Sequence, residues 1–160
     1  LMESFLGVAR RMQIRGEVGG VTVVDHFAHH PTEVAETVRA AAERFAGRKL
    51  VAVFEPRTNT SRRAFFQERY PHSFFGDHQV VIVPPFGLEN LAVEERFDSG
   101  ALVESLRAQG LDAILMDDAD AVVAALAPQL PEGAVILVMS NGAFGGIHQK
   151  LLDALAQRGA

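Results

Sequence analysis

Short, continuous apolar runs alternate with amphipathic helical patterns along most of this sequence, and this alternation constrains the fold most strongly. The runs Leu50–Phe54, Gln79–Val83, Ala113–Met116 and Ala134–Met139 have the length and composition of strands buried on both faces. Strands separated by helices imply right-handed crossovers and a mostly parallel sheet. Such a sheet needs helices on both sides to cover its apolar faces.

The helical patterns predict about five helices between these strands. Pro31–Phe45 has Pro at its first position and Gly47 just beyond its end. The other segments are a shorter helix at Ser61–Arg69, Ala101–Gln109 with Asp98-Ser99 as its cap, a helix that starts at Asp117-Asp118 and runs through Leu126, and Ile147–Ala156.

Gln13–Asp25 alternates loosely around Gly19-Gly20, which predicts one antiparallel hairpin. The expected fold is therefore an α/β, Rossmann-like three-layer domain with a mostly parallel sheet of about six strands, in which one N-terminal hairpin strand is antiparallel.

Composition limits the partners of this chain. Its 160 residues are 48% hydrophobic, enough for one domain with a real core. The net charge of −5 is spread over interspersed acids and bases, so we expect no nucleic-acid or membrane-surface partner. No apolar stretch approaches the roughly 20 residues of a membrane span. The absence of cysteine excludes disulfides and thiolate catalysis, and it agrees with a cytoplasmic location.

Three predicted strand ends carry an unusual density of polar residues. These segments are Asp25–His30, Glu55–Arg63 and Ser140–His148. Because the carboxyl ends of parallel strands meet at one edge of a sheet, the three segments are expected to line a single cleft.

The first of these segments contains His26, His29 and His30 directly before a predicted helix. The spacing lacks the i, i+4 pair of a helical zinc site and specifies no carboxylate partner, so no metal site is predicted. One histidine beside Pro31 can cap the helix through a ring nitrogen, and the helix start can bind a phosphate or a ribose.

The other two segments predict anion binding. Arg57, Arg62 and Arg63 suit bidentate capture of carboxylates or phosphates, although Arg62 and Arg63 would equally fit a solvated helix face. The run Ser140–Gly146 is either an anion cradle or a turn that lets strand and helix pack closely. No dinucleotide fingerprint, P-loop or nucleophile elbow occurs in the chain.

Four stretches resemble the C-terminal domain of the Mur ligase family, the ATP-dependent amide-forming enzymes of peptidoglycan synthesis. Phe5–Arg11 is similar to the connector that follows the central ATPase domain, and Asp25–Pro31 is similar to the family's Asp-x-Ala/Gly-His-x-Pro loop. The runs Phe54–Thr60 and Met139–His148 complete the resemblance. It implies a connector remnant at residues 1–10 and the domain proper at residues 11–160.

The resemblance also implies a chemistry and a set of contacts. In the family, ATP phosphorylates a substrate carboxylate and an incoming amine attacks the acyl phosphate, while ATP and Mg²⁺ are held mainly by the central domain. No residue here is then catalytic and none binds metal. The implied nucleotide contacts are Arg11, Asp25, His26, His29 and His30. The implied peptide contacts are Arg57, Asn59, Arg62, Ser140, Asn141, Phe144 and His148.

The last two runs favour the branch of the family that attaches L-alanyl-γ-D-glutamyl-meso-diaminopimelate to UDP-N-acetylmuramate in peptidoglycan recycling. The histidine loop alone also fits the branch that adds L-alanine, and the residues by themselves also fit a freestanding α/β module for a small anion. In the family, the loop acid stands three residues before the first histidine of the His-His-Pro run. That position is His26 here, with Asp25 one residue earlier, so either could take this role. The isolated domain, lacking its N-terminal and central partners, is expected to be inactive.

Overall fold

The computed structural model describes residues 11–58, 61–85 and 87–158, which form one six-stranded sheet. The strands are β1 (Gln13–Val18), β2 (Val21–His26), β3 (Leu50–Glu55), β4 (Gln79–Ile82), β5 (Asp112–Leu115) and β6 (Val135–Ser140). Their order across the sheet is β1-β2-β6-β3-β4-β5. Only the β1–β2 pair is antiparallel among these neighbours, which confirms the predicted hairpin on a parallel sheet.

Four α-helices cover the two faces of the sheet within the described residues. They are α1 (Pro31–Arg44), α2 (Ser99–Ala108), α3 (Ala119–Leu126) and α4 (Ile147–Arg158). The apolar sides of α1 and α2 share one core with Val24, Phe54 and Leu137 of the sheet. The helices α3 and α4 share the opposite core with Val23, Val53 and Ile136. The predicted three-layer arrangement is confirmed.

The central strand β6 lies between β2 and β3 and is buried along its whole length. Its side chains alternate between the two cores, so Leu137 packs toward α1 and α2 while Ile136 packs toward α3 and α4. Full burial of each such side chain stabilises the fold by about 1.5–3 kcal/mol. The continuous apolar pattern therefore follows from burial on both faces.

Polar side chains cap three of the helices. His30 precedes Pro31, and its Nδ1 accepts a hydrogen bond from the Thr32 amide at 3.2 Å. The Asp98 carboxylate accepts from the Ala101 amide at 2.9 Å, and the Asp118 carboxylate accepts from the Ala121 amide at 2.8 Å. The sequence predicted these caps, and each satisfies a backbone donor that the helix itself leaves without a partner.

The predicted helix at Ser61–Arg69 is wrong. Residues 61–62 form a turn, Arg63 makes an isolated antiparallel bridge with Arg96, and a 3-10 turn covers Ala64–Phe66. The Phe97 amide donates to the Arg62 carbonyl at 2.9 Å, so this backbone pairs with a distant loop. Ser61 also exchanges hydrogen bonds with Thr58, and such local side-chain bonds compete with helix formation.

Hydrogen bonds from two other parts of the fold hold Met12, which lies just before β1. The Met12 amide donates to His26 Nδ1 at 2.9 Å, and Arg44 Nη1 donates to the Met12 carbonyl at 3.0 Å. Met12 has a φ of 56°, which is uncommon for a residue with a side chain. The end of β2 and the end of α1 thus hold the peptide groups on both sides of Met12 in place. The predicted connector, residues 1–10, lies outside the described residues.

None of the helices in the described ranges is both long and apolar enough to cross a membrane.

Candidate functional site

The three polar segments singled out in the sequence follow strands that are neighbours in the sheet. β6 pairs with β2 on one side and with β3 on the other, and all three run parallel. At the carboxyl edge, His26 is in register with Met139 and Glu55 with Ser140. The segments therefore meet at one edge, as predicted from strand direction. They line separate clefts rather than the single cleft that was expected, because neighbouring side chains at the strand ends point to opposite faces of the sheet.

A buried hydrogen bond joins the ends of β3 and β6. The Ser140 hydroxyl donates to Glu55 Oε1 at 2.8 Å, and the Gly142 amide donates to the Ser140 oxygen at 3.1 Å. Arg57 Nη1 lies 3.6 Å from the same Glu55 oxygen. Glu55 is 6% exposed, so its charge is balanced by these neighbours rather than by bulk water.

Arg57 packs directly against the glycine-rich turn after β6. A β-carbon added at Gly142 would lie 2.2 Å from Arg57 Cδ, so any side chain at this position would force Arg57 to move. The absence of a side chain at Gly142 thus lets the arginine stem pack directly on the turn. Beyond it, Phe144 has a φ of 48° and buries its ring in the α3–α4 core.

Glu55, Arg57 and Phe144 line a large cleft at the carboxyl edge, with a volume of about 540 Å³. Arg57 and Lys150 contribute positive charge, and Lys150 Nζ lies 2.8 Å from Asp120. Carboxylates surround them, and those in the lining are Glu55, Glu89, Asp117, Asp118 and Asp120. The volume is that of a small-ligand site, and the mixed charges suit a ligand that carries both signs.

His26 lies on the opposite face of the sheet. Its Nδ1 accepts from Met12, so its Nε2 carries the proton and donates to Thr37 Oγ1 at 3.2 Å. The Thr37 hydroxyl donates onward to the Glu33 carbonyl at 2.7 Å. A second cleft of about 280 Å³ is lined by His26, Arg11 and Glu33 among others, and the Arg11 guanidinium lies over the Phe27 ring at 5.7 Å.

Asp25 points away from His26, as the alternation of strand side chains requires. It is 1% exposed, with Oδ1 at 3.1 Å from His148 Nε2 and Oδ2 at 3.3 Å from Arg15 Nη1. The histidine contact is at ion-pair distance without hydrogen-bond geometry. These three residues line a third cleft of about 440 Å³, beside Gly142.

The His-His-Pro segment is fixed by hydrogen bonds from the loop after β3. The Tyr70 hydroxyl donates to the His29 carbonyl, and the Ser73 hydroxyl donates to the Pro31 carbonyl at 2.8 Å. Burial raises the pKa of the Tyr70 phenol, chiefly through desolvation, so the donor stays protonated. His29 Nε2 lies 3.9 Å from Glu33, and His30 caps α1.

The remaining predicted site residues are less engaged with the clefts. Arg62 Nη1 donates to the Gly87 carbonyl at 3.2 Å and so connects two loops. Asn141 is exposed on the glycine-rich turn, and Asn59 lies outside the described residues. No cluster of three or more potential metal ligands occurs among residues 11–58, 61–85 and 87–158.

The sequence reasoning missed three residues that shape the site. Arg15 lies at a break in the β1–β2 register, Tyr70 is the only tyrosine, and Lys150 is on the second turn of α4. Tyr70 stands between Glu68-Arg69 and His72-Ser73, so no local apolar pattern indicates that its ring is buried. Nothing local distinguishes Arg15 or Lys150 from ordinary surface cations.

A parallel α/β sheet with polar clefts at its carboxyl edge defines the general class of ligand-binding α/β domains. Residues 10–142 match the family model described as Mur ligase, glutamate ligase domain. The chain belongs to the Mur ligase family and forms its C-terminal, glutamate ligase domain.

Two relatives and one solved structure illustrate the similarity. UDP-N-acetylmuramate–L-alanyl-γ-D-glutamyl-meso-2,6-diaminoheptandioate ligase of Escherichia coli K12 is 39% identical over 156 residues, 97% of this chain. UDP-N-acetylmuramate–L-alanine ligase of Myxococcus xanthus is 35% identical over 158 residues, 96% of this chain. The chain spans 32% of the length of each. The crystal structure of a murein peptide ligase from Psychrobacter arcticus has a TM-score of 0.73 at 32% identity, covering 92% of this chain and 30% of that one.

Proposed function

We propose that this domain is the peptide-binding, nucleotide-contacting part of an ATP-dependent ligase that joins L-alanyl-γ-D-glutamyl-meso-diaminopimelate to UDP-N-acetylmuramate. The observation that carries the proposal is the Glu55–Arg57–Ser140–Gly142 cluster at the edge of the large cleft. These residues come from the two sequence runs that favour the tripeptide branch of the family. The 39% identity to the E. coli tripeptide ligase supports the same choice.

The charges of the large cleft fit the far end of such a peptide. A diaminopimelate residue at the end of a peptide carries two carboxylates and one ammonium group. Arg57 and Lys150 can accept the carboxylates, while Asp117 or Asp118 can accept the ammonium. A free L-alanine would occupy only a small part of about 540 Å³ and would leave most of these charges without a ligand partner.

The nucleotide would contact the opposite face of the sheet, beside Arg11 and His26. The cleft of about 280 Å³ lies at the lower end of ligand-site volumes, so it can form one wall of a nucleotide site but not hold the whole molecule. When bound, ATP supplies the phosphoryl group that activates the substrate carboxylate for attack by the peptide amine. Arg11 would neutralise phosphate charge, and His26 would hold the N-terminal region of α1 in position through Thr37.

One experiment tests the proposal directly. The full-length ligase that carries this domain is assayed for phosphate release with UDP-N-acetylmuramate, ATP and either the tripeptide or L-alanine. We expect kcat/KM to favour the tripeptide by at least about a hundredfold, roughly 3 kcal/mol of transition-state binding. A preference for L-alanine would overturn the assignment and favour the activity named for the Myxococcus xanthus relative.

The domain by itself is proposed to be inactive, because the chain has no phosphate-binding loop. Phosphate release by the purified 160-residue chain with all three substrates would contradict this part of the proposal.

A further inference from the structure

Asp25 joins two parts of the fold that are far apart in sequence. It lies near the end of β2, in register with Val138 of β6, and its side chain faces α4. His148 is in the first turn of α4, directly after the glycine-rich turn. The carboxylate therefore holds the start of α4 against the end of the strand that leads into the His-His-Pro segment.

The local backbone directs Arg15 toward the same carboxylate. The β1–β2 register shifts between Ile14 and Gly16, so one extra residue is accommodated in β1 at Arg15. Such a bulge re-aims side chains, and Arg15 Nη1 lies 3.3 Å from Asp25 Oδ2. Gly16 then passes beneath α4, where an added β-carbon would lie 3.0 Å from Leu152 Cδ2.

The environment of Asp25 explains why its charge is tolerated. A carboxylate that is 1% exposed is costly unless cationic or hydrogen-bonding groups compensate it. Arg15 of β1 provides a charged hydrogen-bond donor, and His148 of α4 places its Nε2 3.1 Å from the other carboxylate oxygen. Removing the charge would leave both elements without their common partner, and the start of α4 would be held less firmly.

We infer that Asp25 is a positioning residue for the peptide side of the site, and that it does not contact the nucleotide. By fixing His148, it fixes the turn from Ser140 to Gly146 and with it the surface on which Arg57 lies. The nucleotide-facing cleft at Arg11 and His26 is on the other face of the sheet. This inference rests on the proposed function, because it concerns peptide binding by the ligase.

The test uses the full-length ligase with D25N, which preserves the shape of the side chain and removes its charge. We expect the KM for the tripeptide to rise about tenfold, while the KM for ATP changes by less than about twofold. H148Q should raise the same KM, and the D25N/H148Q double variant should raise it little further, because both changes break one contact. D25E, which restores a carboxylate, should recover part of the lost affinity.

The matched control is D153N, which makes the same chemical change at an exposed position of α4 and keeps an oxygen that can accept from the Gln149 amide. It should leave both KM values unchanged. If D25N does not fold, H148Q carries the test, since it leaves the Asp25–Arg15 contact intact.

The activity of the wild-type enzyme separates failure of the proposed function from failure of the positioning role. A wild-type ligase that does not use the tripeptide would contradict the proposed function itself. An active wild type in which D25N or H148Q raises the KM for ATP, or alters kcat alone, would overturn the positioning role and leave the proposed function standing.

Discussion

The Ser140 hydroxyl and the Glu55 carboxylate form a buried hydrogen bond of 2.8 Å across the ends of β6 and β3. The same hydroxyl oxygen accepts from the Gly142 amide. One small side chain thus fixes the start of the glycine-rich turn and the acid beside Arg57. Its removal should alter the large cleft beside Arg57 without touching the cleft at Arg11 and His26.

S140A is expected to lower kcat/KM for the tripeptide by about tenfold or more and to destabilise the chain by about 1–3 kcal/mol, because a buried carboxylate loses a donor. Steady-state kinetics and urea unfolding measure the two effects. The control is S99A: the Ser99 hydroxyl is buried without a hydrogen-bond partner within the described structure. Equal losses in S99A and S140A would show that the Glu55 bond is unimportant.

G142A should displace Arg57, because the new methyl group would meet its stem. We expect the KM for the tripeptide to rise about tenfold, with little change in the KM for ATP. Gly142 does not have a left-handed φ, so the effect would come from contact rather than from backbone strain. G100A is the matched control, since its nearest neighbour would lie at 3.4 Å and alanine favours the helix. An unchanged peptide KM in G142A would contradict the packing role of the glycine.

Y70F should destabilise the chain by about 1 kcal/mol, because the His29 carbonyl loses its donor while the ring keeps its packing against Phe54 and Phe97. The pKa of Tyr70 is raised on folding, so above pH of about 10 the phenol ionises first in the unfolded chain. The stability difference between wild type and Y70F should therefore be constant below that pH and should shrink above it. Urea unfolding at neutral and alkaline pH measures it.

Tyr70 is the only tyrosine and the chain has no tryptophan, so tyrosinate absorbance reports this one group. If Tyr70 in the folded chain ionised at the same pH as a free phenol, its hydroxyl could not be the buried hydrogen-bond donor described above.

The capping role of His30 can be separated from its predicted nucleotide contact by choice of substitution. H30A should cost about 1 kcal/mol of stability, because the Thr32 amide loses its acceptor. H30N should keep most of that stability, since asparagine is a good N-cap. If the imidazole ring also contacts the nucleotide, H30N should remain stable and show a raised KM for ATP. Equal stability of wild type and H30A would refute the capping role.

The sequence predicted the sheet and the position of the polar edge because both follow from local patterns. Val135–Ser140 is apolar since both of its faces are buried, and Asp98 and Asp118 cap helices through their own backbone neighbours. The segment at Ser61–Arg69 could not be predicted in this way, because its backbone pairs with Arg96 and Phe97, more than thirty residues later.

The features of the site also divide into those that local patterns predict and those that depend on tertiary packing. Strand alternation separates Asp25 from His26 without knowledge of the tertiary structure, and the structure confirms that separation. The Arg15 bulge and the packing of Arg57 on Gly142 depend on distances between elements, which no local pattern encodes. The nucleotide and peptide roles of the individual residues stay predictions that the kinetic experiments address.

The double attachment of Met12 has a mechanical consequence. Its amide is hydrogen-bonded to His26 at the end of β2, and its carbonyl is hydrogen-bonded to Arg44 at the end of α1. Rotation of the backbone about Met12 would break at least one of these two hydrogen bonds, so this residue is a fixed point that couples the start of β1 to both β2 and α1.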